Sequence, residues 1–192
     1  MNVKIISMLL ARALVSAGSF GFKKIEECVS SDGTSILFQN KPSTVPVRMY
    51  ITDQCFYGKP NEHHLTLGME LKNPNNEDVF FDGYAVFSYY FDSLNRITRN
   101  VDNILEKGIL EKRSGRFDLY KLVGQGAQNT AYVSVSNKYN SVFVCIDTFC
   151  DFDSFVDGAS ILYTFRGRFP EGFDPAVAED VIKGFVRQIF NL

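Results

Sequence analysis

The chain contains no tryptophan, only two histidines and no Asn-x-Ser/Thr sequon among its 192 residues. Each shortage narrows what it can do. Without tryptophan, stacking on a sugar ring or a cation is left to tyrosine and phenylalanine. With His63 and His64 as its only ordinary bases, a serine or cysteine nucleophile would have few partners, and neither a G-x-S-x-G elbow nor a C-x-x-C pair is present. The two histidines are adjacent, so an extended backbone aims them in opposite directions and they cannot chelate one ion; an exposed loop is the expected setting. Gly124-Gln125-Gly126 lacks the third glycine and the lysine of a phosphate-binding loop and reads as a turn. No charge of one sign dominates, since 20 Lys and Arg face 22 Asp and Glu for a net charge of -2. The electrostatic footprint of a nucleic-acid binder is therefore missing. The reading is a non-enzymatic chain with no catalytic, cofactor or metal residues to assign. The missing sequon favours a bacterial envelope over a eukaryotic secretory route.

What the chain does have is aromatic and aliphatic bulk: 45% hydrophobic residues, with 18 Phe and nine Tyr. These side chains suit pleated, half-buried surfaces, and the length suits one domain. Leu65, Leu67, Met69 and Leu71 alternate strictly with Thr66, Gly68, Glu70 and Lys72. Asn73-Pro74-Asn75-Asn76 then stops the strand, because proline lacks a donor and asparagine tolerates turn conformations. From Val79 to Phe91 both parities are largely apolar, as in a strand covered on both faces or one offering a tyrosine-rich face to a partner; Asp82-Gly83 is a candidate bulge or turn within it. Asp92 to Arg96 turns the chain, and Ile97, Val101, Ile104, Leu105, Ile109 and Leu110 follow in a charged connection. Further short strands are expected at 117–122, 131–135, 142–146 and 161–165. Short strands at this spacing, without intervening helices, predict an antiparallel, immunoglobulin-like β-sandwich. One amphipathic helix, 175–190, closes it: Asp174 is a good N-cap, Pro175 fits the first helical position, and Ile182, Phe185, Val186, Ile189 and Phe190 share a face.

At the other end, Lys4 precedes an apolar run (Ile5, Ile6, Met8, Leu9, Leu10) and small residues from Ser16 to Ser19. This matches a secretory signal peptide over 1–19, leaving a single domain over 20–192; Arg12 interrupts the run, and the alternative is an amphipathic helix of the mature protein. The stretch is too short to span a membrane as a helix. Four cysteines suit an exported chain with two disulfides, and of three pairings the expected one is Cys28 with Cys55 and Cys145 with Cys150. Residues five apart on one strand face opposite ways, so the second bridge requires a turn at Asp147 and Thr148. In a reducing compartment the four would be buried thiols. Asp147, Asp151, Asp153 and Asp157 crowd the following stretch, but the spacing fails a calcium-loop pattern, and a solvated acidic loop is expected.

The alternating strand ending in Asn73-Pro74-Asn75 is similar to WHy-type late-embryogenesis modules, and Tyr90-Phe91-Asp92 resembles the aromatic turn of FxLYD-type modules, with Asn95 where glycine is usual. The likeness covers about 60 residues of 192. It implies an immunoglobulin- or fibronectin-like binding module without catalytic residues. The expectation is an exported, periplasmic or extracellular, protein-binding module: a component or accessory of a bacterial envelope assembly such as a secretion or pilus apparatus. It would meet another protein through a strand edge, through Tyr84, Tyr89, Tyr90 and Phe91, or through end loops bearing Asn75 and Asn95. Alternatives are an immunity protein against a periplasmic toxin and a calcium- or carbohydrate-binding sandwich.

Overall fold

The computed structural model describes residues 23–30, 35–38, 47–59, 64–72, 79–89, 93–122, 129–135, 141–156 and 161–192. The strands are β1 (Lys23–Lys24), β2 (Ile36–Phe38), β3 (Val47–Met49), β4 (His64–Lys72), β5 (Val79–Tyr89), β6 (Gly108–Ser114), β7 (Phe117–Leu122), β8 (Asn129–Ser134), β9 (Val142–Ile146), β10 (Phe149–Phe155) and β11 (Ile161–Arg168). The helices are a short α1 (Ile25–Cys28), α2 (Ser93–Lys107) and α3 (Pro175–Phe190), with a 3-10 turn at Asp53–Cys55. Among the described residues nine strands form one sheet in the order β1-β4-β5-β11-β10-β9-β8-β7-β6, and β2 pairs with β3 in a small sheet. All pairings are antiparallel except β1 with β4. The mainly β, sandwich-like class and the closing amphipathic helix expected from the sequence are both present. The signal-peptide segment 1–19 lies outside the described residues.

Period-two alternation decides which side chains go where. On one face Leu65, Leu67, Met69, Phe81, Phe87, Phe143, Phe152, Tyr163 and Phe165 are buried. The layer above them is α3, through Ile182, Phe185, Ile189 and Phe190, together with the small sheet through Met49. The Tyr50 amide donates to the Ile189 carbonyl (2.7 Å), joining those two parts. Helix α3 begins where its cap predicts: the Asp174 carboxylate accepts from the Ala176 amide at 2.8 Å, which satisfies a donor the first turn leaves free. Its one buried carboxylate, Glu179, accepts from Ser141 Oγ (2.6 Å) and pairs with Lys183 (2.7 Å), so its burial is compensated. The structure thus places the closing helix over the sheet.

The opposite face is covered by α2, which the sequence reading missed. Residues 92–96 were read as a turn and the following residues as an irregular connection, yet Ile97, Val101 and Ile104 are buried on a helix against Ala131, Val133, Val142 and Leu162. Topology explains why a helix is there. Strand β5 lies six strands from β6, a crossing of about 29 Å at ~4.8 Å per strand. Fifteen helical residues cover about 22 Å of that while satisfying their own backbone bonds. From β6 the chain meanders back strand by strand until β11 closes against β5.

Asp82-Gly83 is neither bulge nor turn, because β5 runs through it. Gly83 pairs with Gly167 of β11, and a Cβ on either would collide with the facing backbone and with the Phe81 ring. Two bare positions let the strands and that ring approach closely.

Candidate functional site

Helix α2 is narrower than the sheet it crosses, so among the described residues it leaves uncovered the part of the second face that bears Tyr84, Arg166 and Asp151. The register lines up its side chains. Gly68, Tyr84, Arg166 and Asp151 form one row of cross-strand partners, with Thr66, Val86, Thr164 and Asp153 in the row beside it. Such neighbours lie within reach of one another. The Arg166 guanidinium grips Asp151 with two bonds, Nε to Oδ1 at 2.8 Å and Nη2 to Oδ2 at 2.6 Å. These bonds, more than the charge of Asp153 nearby, raise the Arg166 pKa above its ordinary value. Thr164 Oγ1 donates to Asp153 Oδ1 at 2.5 Å. Where this row passes beneath α2, a groove of about 340 Å³ opens, with Asn100 and Asn103 on its helical wall and Ile104, Leu122 and Val144 as its apolar lining.

Tyr84 points to this open face and meets the exposed ring of Tyr57 in a tilted contact, 4.5 Å between centroids with 55° between the planes. A side-chain hydrogen bond with Tyr57, then burial, raises the Tyr84 pKa above 10.0.

No protein-family model, curated protein or solved structure matches this chain. Its chemistry is read from its own geometry.

Three of the candidate placements differ from expectation. Asn95, assigned to an end loop, stands within α2. Of the aspartates expected in a solvated loop, Asp147 lies in an exposed turn, but Asp151 and Asp153 belong to strand β10, where they alternate on the open face with the buried Cys150, Phe152 and Ser154. Tyr89 ends β5; Asn75, Tyr90, Phe91, Asp157 and His63 lie outside the described residues. His64 is the first residue of a strand instead of a loop residue, and is exposed there. Among the described residues no three His, Cys, Asp or Glu side chains gather as a metal site, and no helix is long and apolar enough to cross a membrane.

The disulfides follow the expected pairing. Cys145 and Cys150 are direct cross-strand partners, 4.0 Å apart at Cα, joined by the two-residue turn Asp147-Thr148. Asp147 has φ 54, a left-handed conformation that such tight turns demand. Cys28–Cys55 acts at the sheet's edge. It ties α1 to the 3-10 turn, whose following residues pair with β4 through the Phe56–Leu67 bridge and the bond from the Tyr57 amide to the Thr66 carbonyl, 2.8 Å. Strand β1 covers the next part of β4. That edge of β4 is capped over Thr66–Glu70.

The far edge is different. Strand β6 has β7 as its one hydrogen-bonded neighbour among the described residues. Its Ile109 and Leu110 are 58% and 39% exposed, large apolar side chains on a strand with a free side. The register slips between Leu110 and Lys112, leaving Glu111 unopposed. A bulge and the charges of Glu111, Lys112 and Arg113 are devices that stop a strand from pairing indiscriminately.

Proposed function

We propose that this chain is an exported, non-enzymatic protein-binding module that takes an extended segment of its partner alongside β6, as a component or accessory of a bacterial envelope assembly. One observation carries the reading: among the described residues β6 ends the sheet with an unpaired side and two exposed aliphatic side chains. Strand addition uses those features, main-chain bonds for affinity and alternate side chains for specificity. The bulge at Glu111 divides the edge, so a partner strand registers on Gly108–Leu110 or on Lys112–Ser114 and not continuously. Two disulfides support a site of action outside the reducing cytoplasm. The turn chemistry shared with FxLYD and WHy modules is in keeping with a binding role.

The test is site-specific photo-crosslinking in the native envelope, with the probe at position 109 and, as control, at Tyr57 near the capped edge. A discrete adduct from 109 and none from 57 supports the proposal. Equal adducts from both, or none from 109, refute it. An adduct that copurifies with a membrane complex marks an assembly role; a one-to-one complex with a single toxin marks an inhibitor.

A further inference from the structure

We infer that the groove between α2 and the open sheet face is a binding site for a neutral polyhydroxylated ligand, a mono- or disaccharide. The inference does not rest on docking at β6. The groove holds about 340 Å³, the lower end of the range for small-molecule sites.

Its polar groups select the ligand class. Asp151 and Asp153 present carboxylates that accept hydrogen bonds but cannot donate. An anion would meet both of them, and the one cation lining the groove among the described residues, Arg166, is already held through two bonds by Asp151. Anions are therefore disfavoured. A cation such as a polyamine donates only, so it could not use the donor half of the Asn100 and Asn103 amides. A hydroxyl both donates and accepts. A vicinal diol therefore satisfies the amides of α2 and the carboxylates of β10 together, whereas either ion leaves one set unmatched. The bonds already present lock the sheet-side partners in place: Arg166 holds Asp151, and Thr164 holds Asp153. Prearranged groups lose little freedom when a ligand arrives. Directly beside Arg166 in the register stands Tyr84, backed by Tyr57, an aromatic surface on which the apolar face of a pyranose ring can rest.

The test uses the oxidised chain and saturation-transfer NMR with glucose, galactose, mannose, N-acetylglucosamine and their disaccharides, alongside spermidine and inorganic phosphate. At least one saccharide is expected to show transfer, and the two ions none. The double variant Asn100→Ala/Asn103→Ala exchanges exposed helical asparagines for the best helix former, so it keeps its fold. It should weaken the saccharide about tenfold or more, the loss of two hydrogen bonds. Absence of transfer from every saccharide overturns the inference. So does saccharide binding that survives the double variant, or spermidine occupying the groove instead.

Discussion

The two faces of the large sheet are built on different principles. The face beneath α3 and the small sheet is a continuous apolar layer in which rings touch rings. Phe143 alone contacts Phe117, Tyr132, Phe152, Phe169 and Phe173 at centroid distances from 4.3 to 6.4 Å. Both disulfides lie in the same layer. The face beneath α2 has a smaller apolar cluster that stops partway across the strands and gives over to charged and amide groups. The lesson is an uneven partition of the strands: one parity of side chains is packed across the sheet, and the other is packed beneath α2 and turns polar beyond it.

The largest expected effect falls on the aromatic face. Phe143→Ala leaves a hole among five rings and should cost about 3–5 kcal/mol, read as a fall in the urea midpoint at unchanged slope. A loss below 1 kcal/mol would show that this layer repacks and would break the contrast between the faces.

Removing the disulfides comes next, and the two should differ. By loop-closure entropy, Cys28→Ser/Cys55→Ser opens a separation of 27 residues and should cost about 3.5 kcal/mol, against about 2 kcal/mol for Cys145→Ser/Cys150→Ser with a separation of 5. Thermal melts of the two double variants check the order. Gly167→Ala, which drives a methyl group into the β5 backbone, should cost about 1–3 kcal/mol through overpacking; chemical denaturation of this variant beside the parent measures it. Last is the open face: Arg166→Ala removes an ion pair whose arginine is 56% exposed and should change stability by no more than about 1 kcal/mol. Retained stability with altered saccharide affinity would sharpen the distinction; a large loss of stability would erase it.

Much of the aromatic face was legible in sequence, because one-residue alternation is local. Leu65, Leu67, Met69 and Leu71 name their own face, and Asp174 with Pro175 names the start of α3. Strand β10 was legible in principle as well: Cys150, Phe152 and Ser154 alternate with Asp151 and Asp153, but the cluster of aspartates masked the rhythm. In α2 the apolar residues recur at positions 97, 101, 104 and 105, the spacing of one helical face. The signal was present, and Ser93 and Asn95, residues that favour turns as readily as helix starts, diverted the reading. The groove itself could not be read. Arg166 meets Asp151, and Asn100 comes to line one groove with Thr164, only through strand register and helix placement, which are properties of the assembled sheet. Of the aromatic residues expected to form a contact surface, Tyr84 is the one whose side chain is described, and it lies on the open face.

The closure of β11 onto β5 also dictates a timetable. During synthesis the β4–β5 hairpin emerges with the inner side of β5 vacant, and its mate follows more than seventy residues later, at Ile161. Pairing across such a separation is slow, and a bare strand meanwhile invites aggregation. Slow refolding from urea, followed by stopped-flow fluorescence, is the expected kinetic signature of that late closure.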